Sequence, residues 1–419
     1  MKKDRHYDVI VVGGGAAGLA AAIGAKQAGA SVLLLERYGS LGGQATHANV
    51  LSYCGFFTRE AEPKQLVFGA GDMLLKKLAS MGLYNGPRIS PAGNAIAILD
   101  HEATKLAFDL LAEDCGIECL LHCCVTGART DGAGKILSVI CSDDAGGYEI
   151  SADAFVDASG DANLGFLAGA PLRFGDGKGG SYMSTRAVRF GGVRPGIRFS
   201  PAMVREAVLK GKSEGLSHIT KETGMVLTLM NGEALAILPS AAVPSLDAET
   251  LTAVERDTRK QEYDYLEAFR RHLPGMEDAY IISGGDVMGL RDTRHLECEY
   301  TLTGDDVLGA VKQEDGIACG AWPCEMHKGL NEMAEYMYLP DGEHYDIPLR
   351  SLKVKGMKNL WAAGRTIGAD PVAFASVRVM GIGFATGQAA GVVAALSKGG
   401  EPDAGSVRAE LERQEAKLR

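Results

Sequence analysis

The chain is poor in proline, with 14 residues in 419, and it carries no internal repeat and no low-complexity stretch. A Pro-rich linker, a collagen-like array and wholesale disorder are thereby excluded. Basic charge is also short: 43 Lys and Arg against 53 Asp and Glu leave a net charge of -10. With no basic, aromatic-interleaved patch either, a nucleic-acid partner is not expected. Nine cysteines form no metal-ligand pattern. Cys115, Cys119, Cys123 and Cys124 include no Cys-x2-Cys pair, and Cys319, Cys324 and His327 lack an evident fourth ligand, so no metal is expected. An odd cysteine count in a long chain fits free thiols in a reducing cytoplasm better than a disulfide framework.

Membrane signals are equally thin. Met1-Lys2-Lys3 before an apolar run resembles a secretory leader, but Asp4 and Asp8 interrupt its basic region and cleavage would destroy the glycine motif that follows. The run from Val379 to Ser397 has no charge, yet Gly383, Gly387 and Gly391 stand four apart, with Thr386 and Gln388 among them. That composition suits a helix buried inside a protein better than one facing lipid.

What is abundant is glycine, 55 residues in all. The first cluster is the most informative. Tyr7 to Val12 reads as a short buried strand, Gly13-x-Gly15-x-x-Gly18 follows at once, and Leu19 to Ala28 reads as an Ala-rich helix. A second strand, Ser31 to Leu35, ends in Glu36. Gly13 permits the turn, Gly15 lets a pyrophosphate approach the backbone, and Gly18 lets helix and strand pack closely. Amides at the helix start, on Ala16 and Ala17, face a diphosphate, and Glu36 accepts from ribose hydroxyls.

Further glycine turns recur along the chain. Leu41-Gly42-Gly43-Gln44 follows the second strand. An amphipathic helix over 100–115, with Ala103, Leu106, Ala107, Leu110 and Leu111 inward, leads to a strand over 118–125. A β-meander then turns at Asp131-Gly132 and Gly146-Gly147, and returns through Ala154 to Asp161. Near the end, Asn359 to Ala362 is a strand before Gly364-Arg365. Strand ends with glycine turns, early and late, imply one extended ligand threaded between them.

With these blocks in view, the chain resembles the FAD-dependent oxidoreductases that have a glutathione-reductase-type flavin domain, most strongly over 7–47, 100–172, 289–304 and 347–398. The resemblance implies FAD, its ADP half on Gly13, Gly15, Gly18 and Glu36. It further implies that Arg37, Gly42, Gly43 and Gln44 lie along the ribityl–flavin path. Val125 and Ala158-Ser159-Gly160-Asp161 would flank adenosine, and Gly364-Arg365 the pyrophosphate or ribityl chain. The helix entered through Gly381-Ile382 would aim its amides at the flavin. The family commonly has histidines where Asp370-Pro371-Val372-Ala373-Phe374 stands here.

The expected fold is therefore α/β: a Rossmann-like FAD-binding domain with a β-meander, over 1–174 and 346–419, and an inserted mixed α+β substrate or cap domain over 175–345. Helices are expected over 201–213 and 246–271, and a hairpin around Asn231-Gly232. Gly175-x-Gly177-x-Gly179-Gly180 has no strand before it and no Ala-rich helix after it, so it reads as a hinge and not a second phosphate loop. No other GxGxxG offers a separate NAD(P)H domain.

Catalytic candidates are those brought near the flavin. His47 can take a proton near neutral pH, or can be structural. Arg291 and Arg294 can clamp a carboxylate, or can pair with Asp292 and Glu297. Asp370, Ser376 and Arg378 precede the last helix, and His327 and Tyr336 are further candidates from the cap. The leading expectation is hydride transfer between a small organic substrate and flavin N5. A flavin monooxygenase and a non-catalytic or RNA-modifying FAD protein are the alternatives, with an electron-transfer partner or a second copy as further possible company.

Overall fold

The computed structural model describes residues 5–329 and 334–417. Met1 to Asp4, part of the leader-like reading, lie outside the described residues. The fold is α/β, built on a Rossmann-like sheet. Strand His6–Val12 sits at its centre, pairing in parallel with Val32–Leu35 on one side and with Gly146–Asp157 on the other. Glu118–Leu120 adds in parallel beyond Val32–Leu35. The two central strands carry runs of buried Val, Ile and Leu, as strands covered on both faces do.

The long strand Gly146–Asp157 does two jobs along one edge. Its first half pairs antiparallel with Ile136–Asp143, which in turn pairs with Cys124–Thr130, forming the meander. Its second half pairs in parallel with Leu360–Ala362. The end of the chain is thereby brought to the first strands.

The expected strand over 118–125 is two strands. His122 takes a left-handed turn at φ 54, so Glu118–Leu120 stays in the parallel sheet while Cys124–Thr130 begins the meander. The helix over His101–Asp114 forms as expected, capped by the Asp100 carboxylate on the Ala103 amide. Leu106, expected inward, is 49% exposed, and Phe108 is buried in its place.

Small residues determine how the opening helix, Ala16–Gln27, meets the late helix Met380–Leu396. A Cβ on Gly387 would lie 2.1 Å from the Ala17 carbonyl oxygen, and one on Gly391 would lie 1.9 Å from that of Ala21. From the other side, a Cβ on Gly24 would lie 2.4 Å from the Gln388 carbonyl. The backbones touch, and Gly387 and Gly391 are what permits it. Among the described residues no single helix is long and apolar enough to cross a membrane.

A second hydrophobic core has Val188, Phe190, Val204, Leu238, Leu266 and Phe269 at its heart. It lies between a four-stranded antiparallel sheet, ordered Val226–Thr228, Ala234–Ala241, Ser184–Gly191, Tyr280–Ser283, and the helices Pro201–Ser213 and Ala248–His272. The hairpin around Asn231-Gly232 is present. Residues from Leu296 to Tyr345 contribute instead to the large core around the parallel sheet. The Gly175–Gly180 stretch closes on itself: the Asp176 carboxylate accepts from the Lys178 and Gly180 amides at 2.7 and 2.8 Å.

Candidate functional site

A groove of about 960 Å³ runs along the carboxyl ends of the parallel strands. One wall comes from the first βαβ unit. Gly13, at φ 102, has the Ala158 carbonyl oxygen where a Cβ would sit, and Gly18 has the Gly13 carbonyl. Neither position accepts a side chain. Gly15 differs, since its Cβ would meet only Gly43 Cα, at 3.6 Å. Gly15 and Gly43 thus lie in contact on the groove wall, with Ala16, Ala17, Gln44 and His47 close by.

Glu36 is buried at the end of the second strand. Its two carboxylate oxygens accept from the amides of Gly14, at 2.7 Å, and Tyr38, at 2.9 Å. Arg37 donates to the Tyr38 hydroxyl at 2.7 Å. Val125 and the turn from Ala158 to Asp161 complete this end of the lining.

That turn is held from two distant places, 293–294 and 365. The Asp161 carboxylate accepts from Thr293, at 2.8 Å, and from Arg365, at 3.1 Å, while its carbonyl accepts from Arg294 Nε at 2.9 Å. Arg365 also donates to the Leu290 carbonyl. Gly364, at φ 66, packs against Ala17. The late Gly364-Arg365 turn therefore stands directly over the first helix and the Asp161 turn.

At the other end, Met380, Gly383 and Arg378 reach the groove. Gly381 and Ile382 do not line it. A Cβ on Gly381 would lie 2.4 Å from the Cys54 carbonyl, and Ile382 is fully buried. Gly18 and Gly42 also stay out of the lining, acting through packing and backbone shape. Among helices of eight residues or more, those starting at Ala16 and Met380 alone have no side-chain acceptor at their first turn among the described residues. The others are capped by Asp or Ser, and the helix Ala70–Ser80 by Gln388.

His47 is buried against Tyr38, ring centroids 4.3 Å apart, and its Nε2 donates to the Ser40 carbonyl at 3.0 Å. Burial pulls its pKa below the ordinary value despite the Glu36 and Asp286 carboxylates. Its own carbonyl accepts from the amides of Asp286 and Val287.

The two arginines of 291–294 part company. Arg294 turns to the Asp161 carbonyl, the Asn163 side chain and the Phe166 ring. Arg291 donates to the Met183 carbonyl and Thr185 hydroxyl. Among the described residues the two form no shared clamp and no ion pair with Asp292 or Glu297; Asp292 is taken by His295 and the Tyr182 amide. Asp370 and Ser376 are structural as well. Asp370 caps the helix Pro371–Val377 and binds the Gly304 amide, and Ser376 bonds Tyr345 and the Trp322 carbonyl.

Sequence reading missed Phe166, Leu246, Glu255 and Met288, which also line the groove. None carries a local motif; they arrive there by tertiary packing. Among the described residues, no group of three or more His, Cys, Asp or Glu is arranged to hold a metal ion.

The sequence profile of a family described as FAD dependent oxidoreductase matches residues 8–413. A 62-residue stretch is 44% identical to a vinyl phenol reductase of Lactiplantibacillus plantarum, covering 15% of this chain and only 13% of that protein. The structure is similar to a geranylgeranyl bacteriochlorophyll reductase-like protein of Thermoplasma acidophilum, with TM-score 0.47 and 13% identity over 98% of this chain and 82% of that one. It is also similar to a glycine oxidase of Geobacillus kaustophilus, with TM-score 0.44 and 14% identity over 95% and 96% of the two chains.

Proposed function

Because the chain belongs to the FAD dependent oxidoreductase family, and its cofactor is FAD, we propose that it transfers a hydride between a small organic substrate and flavin N5. The observation that carries this reading is the continuous groove, with an uncapped helix start at Ala16 and another at Met380. The residues fit the cofactor. Free amides at Ala16 and Ala17 suit a diphosphate, and the bare backbone of Gly15 on the groove wall lets one approach. The Glu36 carboxylate is placed for ribose hydroxyls, and Val125 and Ala158 to Asp161 for adenosine. Gly364, Arg365 and Gln44 stand along the middle. At the flavin end it is Met380 and Gly383 that reach the groove, where the uncapped helix start favours negative charge. This reading takes the arrangement as the glutathione-reductase type, with the substrate domain centred on the second core and the later part of 175–345 packed on the large core.

When bound, FAD supplies a two-electron acceptor or donor at N5. The chain's own part is to exclude water, orient the substrate and handle its proton. His47 serves the last role: its Nε2 hydrogen is committed to Ser40, which leaves Nδ1 as an acceptor, and its lowered pKa keeps it neutral. The test is anaerobic mixing of the holoenzyme with alcohols, amines, hydroxy acids and enoates, the last against flavin reduced beforehand. Bleaching by one of the reductants, or recolouring by an enoate, is expected. If no member of any class changes the flavin's redox state, the hydride reading fails.

A further inference from the structure

Beyond the Met380 end of the groove, Arg378 leaves the wall and enters a polar cluster that the hydride reading does not use. At its centre is Glu325. Its carboxylate accepts from the Tyr336 hydroxyl at 2.9 Å, from Trp322 Nε1 at 3.2 Å, and from His327 Nε2 at 3.2 Å. Arg378 donates to the Glu325 carbonyl oxygen at 3.0 Å and lies 3.9 Å from its carboxylate. The charge of the same carboxylate is felt by Arg291 and Lys221.

Charge does not balance here. Burial and the neighbouring Arg378 pull Arg291 down to about 10, and burial and Arg291 pull Lys221 down to about 8. Both remain largely cationic at neutral pH. Burial would raise the Glu325 carboxyl, but its interaction with His327, with the two arginines after it, holds it well below the usual carboxylate range. His327, pushed down to about 3 by burial and by Arg291, is neutral. Three cations thus share one carboxylate, and the side-chain partners of Arg291 are otherwise neutral oxygens.

Hydrogen bonding is unfinished as well. Arg378, whose side chain is 10% exposed, has a buried Nε with no partner. His327 Nδ1 is likewise buried and unpartnered. Lys221 is 6% exposed, and its ammonium has no hydrogen bond or ion pair among the described residues. Surplus buried positive charge with idle donors is unfavourable unless an anion completes it. A guanidinium matches a carboxylate in shape and charge.

We propose that this cluster is the substrate's anion site, and that the substrate is a small carboxylate held by Arg378, Arg291 and Lys221 beside the flavin end of the groove. A hydroxyl on the same ligand would meet His327 Nδ1. The inference rests on the hydride-transfer reading for the meaning of the site, but its binding is measured separately.

Holoenzyme is titrated with acetate, lactate, succinate and benzoate, and with the corresponding amides, by calorimetry and by the visible spectrum of the bound flavin. At least one carboxylate is expected to bind tenfold or more tightly than its amide. Arg378→Gln and Lys221→Met should each weaken that carboxylate at least tenfold and leave FAD content unchanged. Lys221→Met keeps the test valid if Arg378→Gln does not fold. Equal binding of acids and amides, or undiminished binding by the folded variants, overturns the proposal. Tight carboxylate binding without flavin reduction by any compound would support this site and remove the hydride reading. Flavin reduction by an uncharged substrate, with no carboxylate bound, would do the reverse.

Discussion

A Cβ on Gly15 fits the folded chain, whereas one on Gly13 or Gly18 collides with backbone. Gly15→Leu should therefore fold and melt close to the wild type, yet purify without yellow colour, because its side chain takes groove space beside the helix start that a diphosphate needs. Absorbance of the purified protein against its melting curve checks both halves. Arg294 makes the opposite point. Sequence puts it beside Arg291 as a substrate clamp, but it bonds Asp161 and Asn163, more than a hundred residues away. Arg294→Ala should weaken FAD retention several-fold and leave the affinity for carboxylates nearly unchanged, as gel filtration followed by calorimetry would reveal. The glycine motif was legible because its physics is local: turn, close approach and helix start lie within six residues. The arginine's role was not, since nothing near position 294 names its partners.

At the scale of elements, periodicity and composition identified the opening strand, the helices over 101–114 and 201–213, and the hairpin at Asn231-Gly232 to within a few residues. They failed where one residue changes direction. His122 at φ 54 divides a run that is β-prone throughout into strands of two different pairings. The spacing of Gly383, Gly387 and Gly391 announced close packing but not the partner, which is the Ala-rich helix some 370 residues earlier. Ala21 and Ala17 meet those glycines backbone to backbone. Gly391→Ala should then cost roughly 1–3 kcal/mol or more, by overpacking a contact that cannot give. Leu106→Asp, on the exposed face of the 101–114 helix, should change stability by less than about 0.5 kcal/mol. Urea unfolding of the two variants side by side is the measurement, and a similar cost for both would show that the interhelical contact can relax.

The whole molecule depends on how the second core is tied to the groove. The strap is the loop 284–288. Gly284 and Gly285 carbonyls accept from Arg186, the Met288 amide donates to Glu255, and the Asp286 and Val287 amides donate to the His47 carbonyl. Arg186, Glu255 and His47 are far apart in sequence, so no reading of the chain could have joined them. Arg186 is fully buried and faces two carboxylates, Glu255 and Glu262, on the long helix Ala248–His272. One guanidinium cannot fully serve both. Glu255 takes a hydrogen bond from Nη2, while Glu262 Oε1 is buried with none. Burial, partly opposed by Arg186, accordingly raises the Glu262 carboxyl to about 7. The folded protein then holds a proton on Glu262 that the unfolded chain releases above its ordinary pKa of 4.5. Between those two values the native state binds more protons than the unfolded one, so this group's contribution to stability falls as pH rises and is constant above about 7. A shift of that size corresponds to about 3 kcal/mol at most, and screening by water lowers it to roughly 2 kcal/mol. Glu262→Gln imitates the protonated form and should remove the dependence. Urea midpoints measured from pH 4.5 to 8 should show the variant gaining on the wild type up to pH 7 and running parallel beyond it. Curves parallel throughout would mean that Arg186 keeps Glu262 ionised, and that the strap is anchored by two ion pairs instead of one.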